Sequence, residues 1–431
     1  MKDGKKNFKY AVPFFAVLAA ITVAAWLLPL RPTSSTDEKR ELASFPEFSV
    51  QQLLSGAYFR DIDTWFSDTF TFRDEWIGLA QSLRSCYGSS DIAIYGKLDA
   101  SDKIPDAPAT PQPTAAATEQ PEQPEEWTGK TVTEEDFISF GTVLQIDDAC
   151  YEYFYFYQAG AERFAGLLSR AAEICSDRAD VYSILVPTAI GIMFSPEFME
   201  EIGSASQNDA IDFIYGSMQG VTGINSFDTL SRHNSEYLYF RTDHHWTARG
   251  AYYVYREFCD ERGFKAKKLS EFEEKVFDNF KGTLYSYANR SSLLKPDTVH
   301  AFVPPGDIET IITTSGGSTY GINIICDMTN AASGLKYLCF MSGDNPITHI
   351  TNHSMEDGPT ALVIKDSFGN CFTPFLTQNY KEIYVIDYRN YRDMTLSGML
   401  DSFAPDDVIF VNSLTISQAD VTTGYLAQVI G

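Results

Sequence analysis

The chain has 431 residues and a formal net charge of −25, with 44% hydrophobic and 14% aromatic residues. That supports a large core and room for more than one domain, and it argues against a polyanionic partner such as nucleic acid held by bulk electrostatics. Seven scattered cysteines form no C-x-x-C pair or metal-ligand spacing.

In chain order, Lys2, Lys5, Lys6 and Lys9 precede an uncharged, mostly apolar run from Tyr10 to Leu30. As a helix this run is long enough to cross a bilayer, and acidic residues follow it at Asp37, Glu38 and Glu41. The expectation for 1–30 is a cytoplasmic tip and a transmembrane signal-anchor, favoured over a cleaved signal peptide, with the bulk of the chain extracytoplasmic. Residues 31–97 read as a helical region (apolar spacing from Tyr58 to Tyr87) ending in a strand from Ile92 to Lys97. Residues 98–128 are rich in Pro, Ala and Thr and read as a disordered loop, across which Ile92–Tyr95 would pair with Val143–Ile146.

From 129 to 431 the pattern is that of one α/β domain. A helix is expected over Gln158–Cys175, a strand buried on both faces over Val181–Pro187, a helix over Asn208–Met218 and a strand over Gly223–Phe227. The aromatic stripe Tyr151, Tyr153, Phe154, Tyr155, Phe156, Tyr157 is core packing or a sugar-stacking platform. The run Arg241-Thr242-Asp243-His244-His245-Trp246-Thr247 then lies on a loop that leads into a helix over Ala251–Cys259. Residues 272–359 lack helical periodicity and read as a mostly β insertion or lid, with strands at Thr310–Thr313, Ile322–Cys326 and Tyr337–Met341. Cys326 and Cys339 are the best-placed pair for a disulfide. Strands return at Ala361–Ile364, Ile383–Asp387 and Asp407–Asn412. Alternating helices and buried strands imply a parallel sheet covered on both sides.

An Asp beside a His is the orienting half of a nucleophile–base–acid triad, and the nucleophile must come from elsewhere. Ser367 fits, because it follows a buried strand directly and precedes a helix, at the carboxyl edge of the sheet. In that assignment His245 takes the hydroxyl proton, Asp243 orients His245, and the Ser367 N–H faces an oxyanion. The competing reading of Ser367 is a plain helix cap. Asp243, His244 and His245 could also be read as metal ligands, but adjacent histidines on one loop converge poorly on one ion, and neither a metal nor another cofactor is expected. Arg389 could contact substrate or form an ion pair.

The Asp243-His244-His245-Trp246 run resembles the signature of the DHHW family, which is similar to the alginate O-acetylation proteins and their Asp-x-His-Trp motif. That resemblance implies an SGNH-hydrolase-like (flavodoxin-like) α/β fold with a Ser-His-Asp triad. Lys365-Asp366-Ser367 resembles the Gly-Asp-Ser block of such enzymes, and the strand ending at Asn412 resembles the one carrying their oxyanion Asn. The block order is rotated, as a circular permutation would produce. By this analogy Asn412 is an oxyanion donor, with Asn370 and the Gly343-Asp344-Asn345 turn as rivals. His245 is the base because it directly precedes Trp246, which leaves His244 unassigned. The resemblance further implies an O-acetyltransferase acting on a cell-surface polysaccharide, and favours transfer over hydrolysis. The alternatives are a carbohydrate O-acetyl esterase and a non-catalytic carbohydrate-binding or scaffold protein that keeps the motif for structure. The resemblance also implies a membrane-bound O-acyltransferase partner.

Overall fold

The computed structural model describes residues 143–288 and 290–431 continuously, together with 101–105, 137–139 and scattered positions between 34 and 70. The expected anchor over 10–30 and the strand over 92–97 lie outside the described residues. Among those described, no helix is long and apolar enough to cross a membrane. The chain divides into two compact units, Met1–Ser90 with Asn289–Ser292, and Asp91–Ala288 with Leu293–Gly431. In the first, Ser34–Ser35 pairs antiparallel with Arg40–Glu41, and Phe45 meets Trp65 edge-on at 4.7 Å.

The second unit begins with a small antiparallel sheet of β1 (Phe137–Ser139), β2 (Val143–Ile146) and β3 (Ala149–Glu152), with β2 in the middle. Both edges of β2 are therefore occupied, which overturns the expected pairing of Ile92–Tyr95 with Val143–Ile146. Helix α1 (Gln158–Cys175) follows. Its first turn is held by Asp102, whose carboxylate accepts from the Gln158 N–H at 3.0 Å, so the start of the proline-rich stretch is ordered.

The main sheet has eight strands. They are β4 (Asp180–Val186), β5 (Thr222–Gly223), β8 (Ile308–Thr313), β9 (Thr319–Ile322), β10 (Ile347–Asn352), β11 (Thr360–Lys365), β12 (Glu382–Asp387) and β13 (Asp407–Ser413). A separate antiparallel pair is formed by β6 (Glu273–Phe280) and β7 (Asp297–Val303). The order across the main sheet is β9-β8-β10-β12-β11-β13-β4-β5. From β12 to β5 neighbouring strands are parallel, and β10, β8 and β9 extend that edge antiparallel. The expectation of a purely parallel sheet with a separate β lid is thus corrected. Three strands of the 272–359 segment belong to the central sheet, which is a mixed one.

Counted from β11, the parallel strands stand in the order 2-1-3-4-5, the flavodoxin-like winding, although its strands four and five come first in the chain. In such a sheet the ligand crevice opens at the carboxyl end of strand one, where the winding reverses. That point is the end of β11 at Lys365, two residues before Ser367.

Side chains alternate between the two faces of these strands. Ala361, Val363, Ile409 and Val411 enter one core with α3 (Ala248–Arg262) and α4 (Gly369–Leu376). Leu362, Ile364, Val408 and Phe410 enter the other with α1 and α2 (Gln207–Gly216). Burial on both faces explains why these strands read as continuous apolar runs. Four local expectations fail. Gly223–Phe227 contributes only Gly223 to β5, before a short helix, Ser226–Ser231, capped by Asn225. The strand expected over Ile322–Cys326 ends at Ile322. Tyr337–Met341 is not a strand, since Ser333–Cys339 forms 3-10 turns. Cys326 and Cys339 pair through their backbones at 2.8 Å while their thiols stay unbonded.

Candidate active site

The loop from Arg241 to Thr247 is fixed at both ends. Thr247 ends it by capping α3, its hydroxyl accepting from the Gly250 N–H. At the other end the buried carboxylate of Asp297 accepts from the Arg241 and Thr242 N–H groups at 2.9 and 2.8 Å. It also accepts from the Thr242 and Tyr237 hydroxyls, both at 2.5 Å. A carboxylate with four donors organises a loop more strongly than neutral hydrogen bonds would.

Inside the loop, Asp243 and His245 form the expected pair. Asp243 Oδ1 lies 2.5 Å from His245 Nδ1 and accepts the His245 backbone N–H at 3.1 Å. Asp243 Oδ2 accepts both the N–H and the hydroxyl of Thr283, each at 2.8 Å, from the start of the short helix Thr283–Tyr287. Burial would raise the Asp243 pKa. The two imidazoles beside it and the hydrogen bonds from His245 and Thr283 outweigh that, so the carboxyl sits well below its ordinary range. Gly282 is required here, since a Cβ at that position would meet the Asp243 carboxyl carbon at 2.5 Å.

His245 lies between two rings. Tyr337 stacks on it with centroids 4.1 Å apart, and His244 packs against it at 3.9 Å. Its Nε2 is buried and has no hydrogen-bond partner among the described residues. A buried polar atom without a partner costs stability, so it suggests a position kept for a reacting group.

The Ser367 turn meets this loop through three contacts. The Tyr337 hydroxyl donates to the Ser367 carbonyl at 3.0 Å, the Trp246 indole N–H donates to the Phe368 carbonyl at 2.9 Å, and the Phe368 ring lies 5.0 Å from that of His245. Trp246 is therefore a buried strut between the two halves and does not face substrate. Burial holds the Tyr337 phenol well above its ordinary pKa, so it remains a donor. Asp366 clamps the turn, accepting from the Phe368 N–H at 2.9 Å and from the Ser413 N–H at 2.8 Å. Ser367 is half-buried and its N–H has no acceptor among the described residues, as an oxyanion donor requires. Its hydroxyl and His245 Nε2 are not hydrogen-bonded to each other. Such bonds commonly form only once substrate is bound. Cys371, nearby on α4, is no rival nucleophile, because burial pushes its thiol up to about 12.

Each side-chain oxyanion candidate has one donor engaged within the protein. Asn412 donates to the Tyr388 hydroxyl at 3.1 Å, and Asn370 donates to Asp344 at 2.9 Å. Arg389 bonds Asp387 through two nitrogens, at 2.9 and 2.7 Å, and pairs with Asp344 at 3.1 Å. Lys365, buried, joins the same cluster at 2.9 Å from Asp387 and 3.2 Å from Asp344. These charges secure the loop Met341-Ser342-Gly343, whose three residues all have left-handed φ (52°, 60° and 88°), against the Ser367 turn.

Ligand atoms of Asp243, His244 and His245 lie within 4.8 Å of one another, near enough to share a cation. Both oxygens of Asp243 and both Nδ1 atoms are already committed to hydrogen bonds, so the donor set fits a proton relay better than a metal centre. The supports that the sequence did not reveal are Thr283, Asp297 and Tyr337, all within the segment expected to be a lid; Asp344, in a turn expected to offer oxyanion donors, is instead part of the charge cluster. An isolated polar residue in a β-rich stretch carries no sequence signal, although Gly282-Thr283 before an apolar helical turn is a weak one.

The family model for the DHHW protein matches residues 38–112 and 123–386. The chain belongs to the DHHW family. No curated protein matches it. Among solved structures, a DHHW family protein from Eubacterium siraeum is similar at TM-score 0.59 and 28% identity, over 66% of this chain and 93% of that one. Bacillus cereus PatB1, in a structure with a sulfonyl adduct, shares the fold at TM-score 0.55 and 18% identity, over 65% of this chain and 97% of that one. The O-acetyltransferase domain of Pseudomonas putida AlgJ gives TM-score 0.38 at 14% identity, over 66% and 96%.

Proposed function

We propose that this DHHW protein is a circularly permuted SGNH-like O-acetyltransferase that modifies a polysaccharide through an acyl-serine intermediate. The observation that carries the proposal is the Asp243–His245 pair, whose imidazole lies against Phe368 of the turn that bears Ser367 and whose Nε2 has no partner among the described residues. In the first half-reaction Ser367 Oγ attacks the acyl carbon of the donor and its proton passes to His245 Nε2. The donor's C–O bond then breaks, and the leaving oxygen takes that proton. In the second, a sugar hydroxyl attacks the acyl-serine, its proton passes through His245 to Oγ, and the serine is regenerated. Asp243 holds Nδ1 protonated so that Nε2 can serve as the base. The Ser367 N–H stabilises the oxyanion in both steps.

The proposal includes an N-terminal membrane anchor over 10–30, an extracytoplasmic catalytic unit and a membrane-bound O-acyltransferase partner supplying acyl groups. A fold neighbour in a structure with a sulfonyl adduct makes sulfonyl fluoride a suitable probe. The expected result is labelling of the wild type at Ser367, abolished in Ser367→Ala, with acetyl moved from an activated ester to a glycan. Labelling that persists in Ser367→Ala would remove the serine from the mechanism. Acetyl released only to water would make the enzyme an esterase.

A further inference from the structure

The doubled histidine gives the site two hydrogen-bond acceptors side by side. Asp243, held ionised, can only accept, so the Thr283 hydroxyl must point its hydrogen at Oδ2. The remaining lone pair of that hydroxyl lies 2.9 Å from His244 Nδ1. His244 Nδ1 therefore carries the proton, and in the neutral ring Nε2 carries a lone pair. Burial and the neighbouring His245 hold His244 below its ordinary pKa, which keeps the ring neutral, against the opposing pull of Asp243 and Glu152.

Both Nδ1 atoms face Asp243, at 2.5 Å for His245 and 3.8 Å for His244. The two Nε2 atoms consequently point away from it, on rings whose centroids are 3.9 Å apart. His244 is about a quarter exposed (26%), and its Nε2 has no protein partner among the described residues. A ring needed only for packing would not have its tautomer fixed by a hydroxyl that is itself fixed by the catalytic aspartate. Burial, with a further push from Asp243, raises the pKa of Glu152 on β3.

We infer that His244 and His245 together select an acceptor with two adjacent hydroxyls, the vicinal diol of a sugar ring. The attacking hydroxyl donates to His245 Nε2 while its neighbour donates to His244 Nε2. The atoms balance as in the second half-reaction above. The acceptor oxygen bonds the acyl carbon, the acyl–Oγ bond breaks, and the single transferred proton travels through His245 to Oγ. His244 binds the neighbouring hydroxyl and takes no proton. This inference rests on the acyl-serine proposal.

The test is a competition between 1,2-cyclohexanediol and cyclohexanol for acetyl from p-nitrophenyl acetate, using the full chain and reading the ratio of the two esters. The wild type should favour the diol beyond the two-fold statistical advantage of its second hydroxyl. His244→Phe, which keeps a ring against His245, should lower the ratio by about five-fold, the worth of one ordinary hydrogen bond. His244→Gln, which keeps an acceptor, should recover most of it. The ratio is read only from molecules that turn over, so an unfolded fraction does not alter it. A wild type that acylates alcohols without diol preference, or a His244→Phe ratio equal to the wild type's, would overturn the inference and leave the acyl-serine mechanism standing. A wild type that forms no acyl-enzyme would remove both.

Discussion

Replacing Asp243 by Asn is the sharpest test of the site, because each carboxylate oxygen accepts two hydrogen bonds. Oδ1 takes the backbone N–H and Nδ1–H of His245, and Oδ2 takes the N–H and O–H of Thr283. An amide has one acceptor oxygen, so either orientation forfeits one pair and turns NH₂ toward donors. Two charge-assisted bonds at roughly 1.5–3 kcal/mol each predict destabilisation of about 3 kcal/mol or more by denaturant midpoint. If the NH₂ faces His245, it donates to Nδ1 and forces the proton onto Nε2, the wrong tautomer for a base. Acylation of Ser367 by an activated ester should then fall by about 10⁴. The Asp243 pKa is depressed on folding, so its stabilisation is complete above the unfolded value near 3.8 and is lost as pH falls through the lower folded value. The stability gap between wild type and Asp243→Asn should therefore be flat above about pH 5 and narrow below about pH 3.8. A folded Asp243→Asn protein that acylates within ten-fold of wild type would refute the assignment of Asp243 as the orienting group.

Gly282→Ala places a methyl against the Asp243 carboxyl and should cost several hundred-fold in acylation, measured by burst kinetics, though it changes no hydrogen-bonding group. Asp297→Asn leaves the Arg241, Thr242 and Tyr237 donors short of an acceptor in a buried place. A loss of roughly 3 kcal/mol is expected from thermal or chemical denaturation, and a change under 1 kcal/mol would show that the loop is held by other means. Tyr337→Phe keeps the stack on His245 but removes the bond to the Ser367 carbonyl. Its kcat should drop about five-fold with little change in unfolding midpoint, and a loss as large as that of Ser367→Ala would give the hydroxyl a more direct role.

The strands around the site were legible because they are buried on both faces and so keep apolar runs, as in Ala361–Ile364 and Val408–Val411. Asp243, His245 and Ser367 stand out in the sequence for a different reason. Their chemistry recurs at fixed places relative to strands and helices. In the structure Asp243 pairs with His245, and Phe368, the neighbour of Ser367, lies against the His245 ring. The support was not legible. Thr283 donates its own N–H and hydroxyl to Asp243, 40 residues away in the chain, and Asp297 accepts from the N–H and hydroxyl of Thr242, 55 residues away; polar residues of this kind occur in any loop. Strand register across the antiparallel edge was hidden as well. Residues 308–313 and 347–352 alternate, and alternation alone does not say which sheet a strand joins. Asn412 is expected as an oxyanion donor by family resemblance, with Asn370 as a rival, and Arg389 as a substrate contact or an ion pair. Neighbours that appear only in three dimensions, Tyr388, Asp344 and Asp387, each take a donor from them, and for Arg389 the ion pair is the reading the contacts favour.

The segment 272–359 supplies Thr283 to Asp243, Asp297 to the histidine loop, Tyr337 to the Ser367 turn and Asp344 to the charge cluster. It therefore cannot be exchanged as a module. Grafting a homologous or redesigned segment would also remove the carboxylate that shapes the histidine loop and the phenol that stacks on His245 and bonds the Ser367 carbonyl. Protein engineers seeking new acceptors in this architecture should vary solvent-facing positions around His244 and keep the scaffold beneath it intact.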